Sequence, residues 1–112
     1  MDCLFCSIAA KQIPAKVVLE TDTVLVFHDI TPKAKVHVLV IPKQHIVTFN
    51  DVTPENKSAI ADMGWAVGEA TKLLGIAHSG YKVMVNNGHN GGQEVPHLHW
   101  HVLGGEKLKG IV

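Results

Sequence analysis

The segment Pro96-His97-Leu98-His99-Trp100-His101-Val102, followed by Leu103, alternates imidazole and apolar side chains without a break. Period-two alternation is the pattern of extended chain, in which successive side chains point to opposite faces of a sheet. A strand of this kind presents His97, His99 and His101 on one face and Leu98, Trp100 and Val102 on the other. The apolar face demands a covering layer. The imidazole face then lines a cleft on the far side of the sheet.

The rest of the chain supplies the matching elements. β-branched runs at 17–19 and 24–27, separated by Glu20-Thr21-Asp22-Thr23, predict a hairpin, and 36–41 predicts a further strand closed by Pro42. From Pro54 the period changes: Ile60, Met63, Val67, Ala70 and Leu74 recur at helical spacing. This predicts a helix over 54–74 with Thr53 as N-cap, Pro54 in its first turn and Gly75 at its C-terminal end. Residues 7–11 predict a short helix before Pro14, and 81–86 and 97–103 predict the last two strands. The order of elements is that of an α+β domain with a mainly antiparallel sheet.

Composition limits the partners. The chain has 112 residues, 46% hydrophobic and 18% charged, with formal net charge zero. At this size roughly 6,000 Å² stays exposed on folding, enough burial for one core over 1–112 and not for two. A neutral chain lacks the electrostatic basis for binding nucleic acid. No apolar run approaches the ~20 residues of a membrane span, and Met1-Asp2-Cys3 is no basic leader. The expectation is a cytoplasmic protein acting on neither nucleic acid nor membrane.

Three imidazoles in register are compatible with a three-His metal site and with imidazole-based catalysis, and spacing alone leaves both open. The loop that feeds them, Asn86-Asn87-Gly88-His89-Asn90-Gly91-Gly92-Gln93-Glu94-Val95, is rich in glycine. Glycine permits close backbone approach, so successive N–H groups can converge on an anion. The ten cationic residues are all lysine, so no bidentate guanidinium is available to hold phosphate. Backbone amides, Asn86, Gln93 and imidazole are left to do so.

The run from His97 to Leu103, with Gly91-Gly92-Gln93-Glu94-Val95 before it and Gly104-Gly105 after it, resembles the His-x-His-x-His signature of the histidine triad (HIT) superfamily. Ile13-Pro14-Ala15-Lys16, Phe27-His28-Asp29-Ile30 and His37-Val38-Leu39-Val40-Ile41-Pro42-Lys43 are also similar to that family. The branch it most resembles is the histidine triad nucleotide-binding proteins, which are purine nucleoside phosphoramidases. The resemblance implies a five-stranded sheet with one long and one short N-terminal helix, extended across a homodimer. Helix residues Met63, Trp65, Ala66, Gly68 and Ala70 are compatible with such a partner.

The resemblance also implies an activity: hydrolysis of the P–N bond of AMP or GMP conjugated to an amine. His99 would be the nucleophile, forming a nucleotidyl-imidazole that water hydrolyses. His101 would touch phosphate and protonate the amine, with His37 and His97 orienting the active ring. Asp29 would accept the ribose hydroxyls, with His28 nearby. Leu4, Phe5, Ile8, Phe27, Ile30 and Leu39 would form the base slot. Asn86, Gly92, Gln93, Glu94 and Val95 would surround the phosphate. The alternatives are hydrolysis of dinucleoside polyphosphates and a nucleotide-binding module with little turnover.

No cofactor is needed for this chemistry. Cys3-x-x-Cys6 is weak evidence by itself, because a closed zinc site requires four ligands. Related proteins bind structural zinc through two Cys, an upstream His and the first triad His, which here are Cys3, Cys6, His45 and His97. The alternative is a pair of reduced thiols. Glu94 stands where many members have Ser, so its carboxylate is expected to face away from phosphate, and Pro96 replaces a commoner aromatic. The resemblance also implies that the C-terminal stretch shapes leaving-group selectivity, and here only a few residues follow Gly105 to Val112, so the resemblance does not define the amine side of the pocket.

Overall fold

The structure is a computed structural model describing residues 3–110; Met1, Asp2, Ile111 and Val112 lie outside the described residues. Expectations resting on the first two and last two residues therefore lie outside it too. Helix α1 (Leu4–Ala9) leads into strands β1 (Val17–Glu20), β2 (Val24–His28) and β3 (Val36–Pro42). A 3₁₀ turn (Phe49–Asp51), helix α2 (Ser58–Leu73), β4 (Tyr81–Val85) and β5 (Trp100–Gly104) follow. All four strand pairings are antiparallel, and the order across the sheet is β1-β2-β3-β5-β4. The α+β architecture expected from the element pattern is therefore present.

Alternation on the central strands sorts the two faces. Val24, Val26, Val38, Val40 and Val102 point to the side where α2 packs its Ala59, Met63, Ala66, Val67 and Ala70. Leu25, Phe27, Leu39 and Ile41 point to the other side, covered by Phe5 and Ile8 of α1. Fully burying each such side chain stabilises the fold by roughly 1.5–3 kcal/mol before entropy is counted. Because β2 and β3 are apolar on both faces, they are the sheet's centre, and the catalytic-looking residues hang from its α1 side.

Several boundaries differ from expectation. α1 starts at Leu4, three residues before 7–11, because the Cys3 sulfur accepts the Cys6 N–H and serves as the N-cap. α2 starts at Ser58, after its Lys57 cap residue, and Thr53 makes no side-chain cap. Instead the Thr53 N–H donates to Asn56 Oδ1, and a separate turn bridges Thr53 to Lys57. At the other end Gly75, at φ +73°, bonds to Lys72 O while Ile76 bonds to Thr71 O. That double closure is the Schellman arrangement, in which glycine avoids the cost of a Cβ. Met63, Ala66 and Ala70, compatible in the sequence with either core or partner, are buried in the protein's own core, whereas Trp65 (57% exposed) and Leu73 (65%) face outward.

The folded surface is 6715 Å², above the roughly 6,000 Å² expected for the mass. No helix among the described residues is long and apolar enough to cross a membrane.

Candidate active site

β5 begins at Trp100, so only His101 of the three histidines lies within it; His97 and His99 occupy the extended lead-in. Alternation reports an extended backbone and not ladder pairing, which is why the expected strand started too early. Leu98 N–H bonds to Ile46 O, holding the lead-in against the preceding segment. His99 and His101 line a cavity of about 1400 Å³ together with His37 and Asp29. His97 does not; its ring is buried and turned toward Cys3 and Cys6.

Hydrogen bonds fix the state of each ring. His99 Nδ1 donates to the His97 carbonyl at 2.7 Å. Its Nε2 has no partner and is not sealed off from solvent, so an unprotonated nitrogen is presented to the cavity. Phe5 packs edge-on against this ring at 5.0 Å between centroids, limiting its rotation. His97 and Phe5 thus hold His99 in one tautomer and one orientation.

A second chain of donors starts from the backbone. Lys33 N–H donates to His37 Nδ1 at 3.0 Å, so the proton of the neutral ring must sit on Nε2. That Nε2 lies 2.9 Å from His101 Nδ1 and 3.4 Å from Asp29 Oδ2. His101 Nδ1 is therefore an acceptor, and its own proton sits on Nε2. Burial, then the neighbouring His99 and His37, push His101 down to about 4. Burial likewise holds His37 below the ordinary histidine range. His101 is thus a neutral donor, and a second proton on Nδ1 would meet the His37 N–H head-on. In this state His101 offers a hydrogen bond through Nε2–H and carries no second proton.

The same tautomer bears on metal binding. Donor atoms of Asp29, His37 and His101 lie within 4.8 Å of one another. A cation there would need lone pairs on both facing nitrogens, which the Lys33 amide denies to His37. This trio is a hydrogen-bond relay.

Cys3, Cys6, His45 and His97 form the other cluster, their donor atoms also within 4.8 Å. His97 Nε2 donates to Pro42 O at 2.8 Å, leaving Nδ1 facing Cys3 Sγ at 3.2 Å and Cys6 Sγ at 3.5 Å. His45 Nδ1 is 3.2 Å from Cys6 Sγ. Two thiols, two oriented imidazole nitrogens and a carbonyl fixing one tautomer suit a tetrahedral zinc ion, with no fifth place for water. Burial and Cys3 push the Cys6 thiol up to about 11, so Cys6 stays protonated unless a metal displaces its proton.

The apolar residues expected at the base slot divide. Phe5, Ile8, Phe27 and Leu39 are buried and line the cavity floor, and half-buried His28 joins them. Leu4 is 49% exposed, and Ile30, at 97%, stands at the mouth and is not packed into a slot. In the glycine-bearing loop, Asn86, Gly92, Glu94 and Val95 line the cavity. The N–H groups of Glu94 and Val95 have no acceptor among the described residues. Gln93 is not on the cavity: its Oε1 accepts from Gly88 N–H and its Nε2 donates to Val47 O and Val95 O. It braces the loop, and so does Asn86 through Gly91 O. Gly91 is required there, because the Asn87 backbone fills the space of a Cβ.

Pattern reading missed the Lys33 amide and the Pro42 carbonyl. Backbone groups carry no signature in the sequence, and only the folded register exposes them.

The chain belongs to the HIT family: the HIT domain model matches residues 10–108. It is similar to a histidine triad protein from Clostridium difficile (39% identity, TM-score 0.95, covering 100% of this chain and 97% of that one). It is also similar to a HIT family hydrolase from Legionella pneumophila (42%, TM-score 0.92, 96% of both chains). A histidine triad nucleotide-binding protein from Candida albicans matches at 30% identity and TM-score 0.82, over 99% of this chain and 86% of that one.

Proposed function

We propose that the protein hydrolyses purine nucleoside phosphoramidates, releasing an amine and AMP or GMP. The observation that supports it best is the state of His99: an unprotonated Nε2 open to the cavity, backed by Nδ1–H on a carbonyl. That is an imidazole set to attack and unable to tautomerise. The solved structures named as a hydrolase and as a nucleotide-binding protein are consistent with it.

In this reading the base enters between Phe5, Ile8, Phe27 and Leu39, and Asp29 accepts a ribose hydroxyl. The free N–H groups of Glu94 and Val95 and the His101 Nε2–H donate to phosphate oxygens. His99 Nε2 bonds to phosphorus as the P–N bond breaks, and the departing amine takes a proton from cavity water. A second water then attacks phosphorus, breaks its bond to Nε2 and gives its proton to the hydroxide left by the first, restoring His99. His97 acts through its carbonyl and not as an acid. Cys3, Cys6, His45 and His97 would hold a structural zinc ion away from the substrate, and so held would tie α1 to the sheet and keep Phe5 against His99.

The protein works as a cytoplasmic homodimer. β4 is one edge of the sheet, with Tyr81 and Val83 exposed, and Trp65 and Leu73 present apolar surface on α2. Steady-state comparison of adenosine 5′-phosphoramidate with diadenosine tetraphosphate tests the substrate class. Faster P–N cleavage is expected; preference for the polyphosphate would transfer the same nucleophile to another reaction.

A further inference from the structure

The main cavity, about 1400 Å³, exceeds the roughly 300–1,000 Å³ of an ordinary small-molecule site. A nucleotide placed between Phe5 and His101 leaves room beyond the phosphate, where the leaving group departs. That end is bounded by Met84, Leu103, Lys33 and Lys35. A second cavity of about 260 Å³ adjoins it, sharing Lys33 and Leu103 and adding Glu106, Lys107, Leu108 and Lys109.

This end is built and cationic. Glu106 Oε2 accepts the Lys35 N–H at 2.7 Å, clamping the segment after β5 onto the loop before β3. Half-buried Leu108 anchors it further, so Lys107 and Lys109 flank the second cavity. Among the described residues Glu106 is the one acid lining it, against three lysines. None of the three forms an ion pair among the described residues, whereas Lys11, Lys43 and Lys72 do. The Lys33 ammonium is near enough to disfavour protonation of both His37 and His101.

We propose that Lys33, Lys107 and Lys109 form an anion-binding subsite for the leaving group, selecting substrates whose departing portion carries a carboxylate or a phosphate. Leu103 and Leu108 would hold the short apolar stem that separates the anion from the scissile bond. This inference rests on the phosphorus-transfer reading above and adds the class of leaving group to it.

The test compares wild type with the Lys107→Gln/Lys109→Gln variant, which leaves His99 and the relay untouched. Two adenosine phosphoramidates serve as substrates, one of β-alanine and one of β-alaninamide, differing in a single charge. The carboxylate substrate is expected to have kcat/KM about 10-fold higher in wild type, the scale of two exposed ion pairs. The ratio should fall toward one in the variant and in high salt, with the carboxamide substrate unchanged. Binding of ADP against AMP probes the phosphate source separately, with the same about 10-fold ratio expected and lost in the variant. A ratio above one for only one pair supports the subsite and fixes its source. Ratios of one in wild type, or ratios the variant retains, would overturn it. Failure of AMP to bind overturns the nucleotide reading instead; the subsite then stands or falls on whether pyrophosphate binding weakens in the variant.

Discussion

The Nε2 of His37 and the Nδ1 of His101 lie 2.9 Å apart because β3 and β5 pair in the register His37↔Leu103 and Leu39↔His101. The two rings are diagonal neighbours on one face of the sheet, close enough for long side chains to meet. With Lys33 N–H behind it, His37 directs the His101 proton into the cavity. Loss of that donor costs about 10²–10³ in kcat, the scale for one donor to developing charge. His101→Ala is expected to show that loss and His101→Gln, which keeps an N–H, to recover part of it. His37→Asn should lower kcat with little change in nucleotide affinity. Equal activity of the Ala and Gln variants would show that the donor is not what His101 supplies.

Acid should destabilise the fold through His101. Its ordinary value of 6.5 is pushed down to about 4 by burial first, then by His99 and His37, with Asp29 opposing and Lys33 assisting. Between those values the unfolded state binds the extra proton and the folded state does not. Stability therefore rises with pH through this window and is lost as pH falls from about 6.5 to 4. Thermal melts of wild type and His101→Asn across that range check it. The variant should show the shallower decline; parallel curves would contradict the assignment.

Metal analysis should find one zinc per chain, lost in Cys3→Ser. Chelation should lower Tm, because a metal bound only by the folded state stabilises it by mass action. The His99 ring, which touches Phe5 of α1, should then gain mobility measurable by NMR line shape. Metal-free protein with unchanged Tm would mean that the two thiols suffice.

The outward face of α2 predicts the assembly. Trp65→Glu places a charge on exposed apolar surface and should shift the mass in light scattering from dimer to monomer, with the fold intact. A wild-type monomer would remove the dimer from the proposal.

Much of this architecture was legible in the sequence, and the reasons are local. Val24-Leu25-Val26-Phe27 and 38–41 are apolar on both faces, and such runs belong to central strands. The α2 periodicity placed Met63 and Ala70 in the core, but its start was hidden, because Pro54–Lys57 satisfies its own turn through Asn56. The alternation of 97–101 showed imidazoles grouped together and could not show that His97 leaves the cleft for the cysteines. Gln93 looked like a phosphate ligand by composition; its amide is spent on loop carbonyls, which spacing does not reveal. Lys107 and Lys109 gave no signal, since only the clamp of Glu106 on Lys35 brings them beside the cavity.

The most direct measurement is intact-mass analysis of protein quenched during turnover of adenosine 5′-phosphoramidate. Wild type should carry a transient adenylyl adduct located on His99. His99→Ala should bind AMP, form no adduct and lose turnover by about 10⁴- to 10⁶-fold, the scale for removing a covalent nucleophile. An adduct on another residue, or undiminished turnover by His99→Ala, would contradict His99 as the nucleophile.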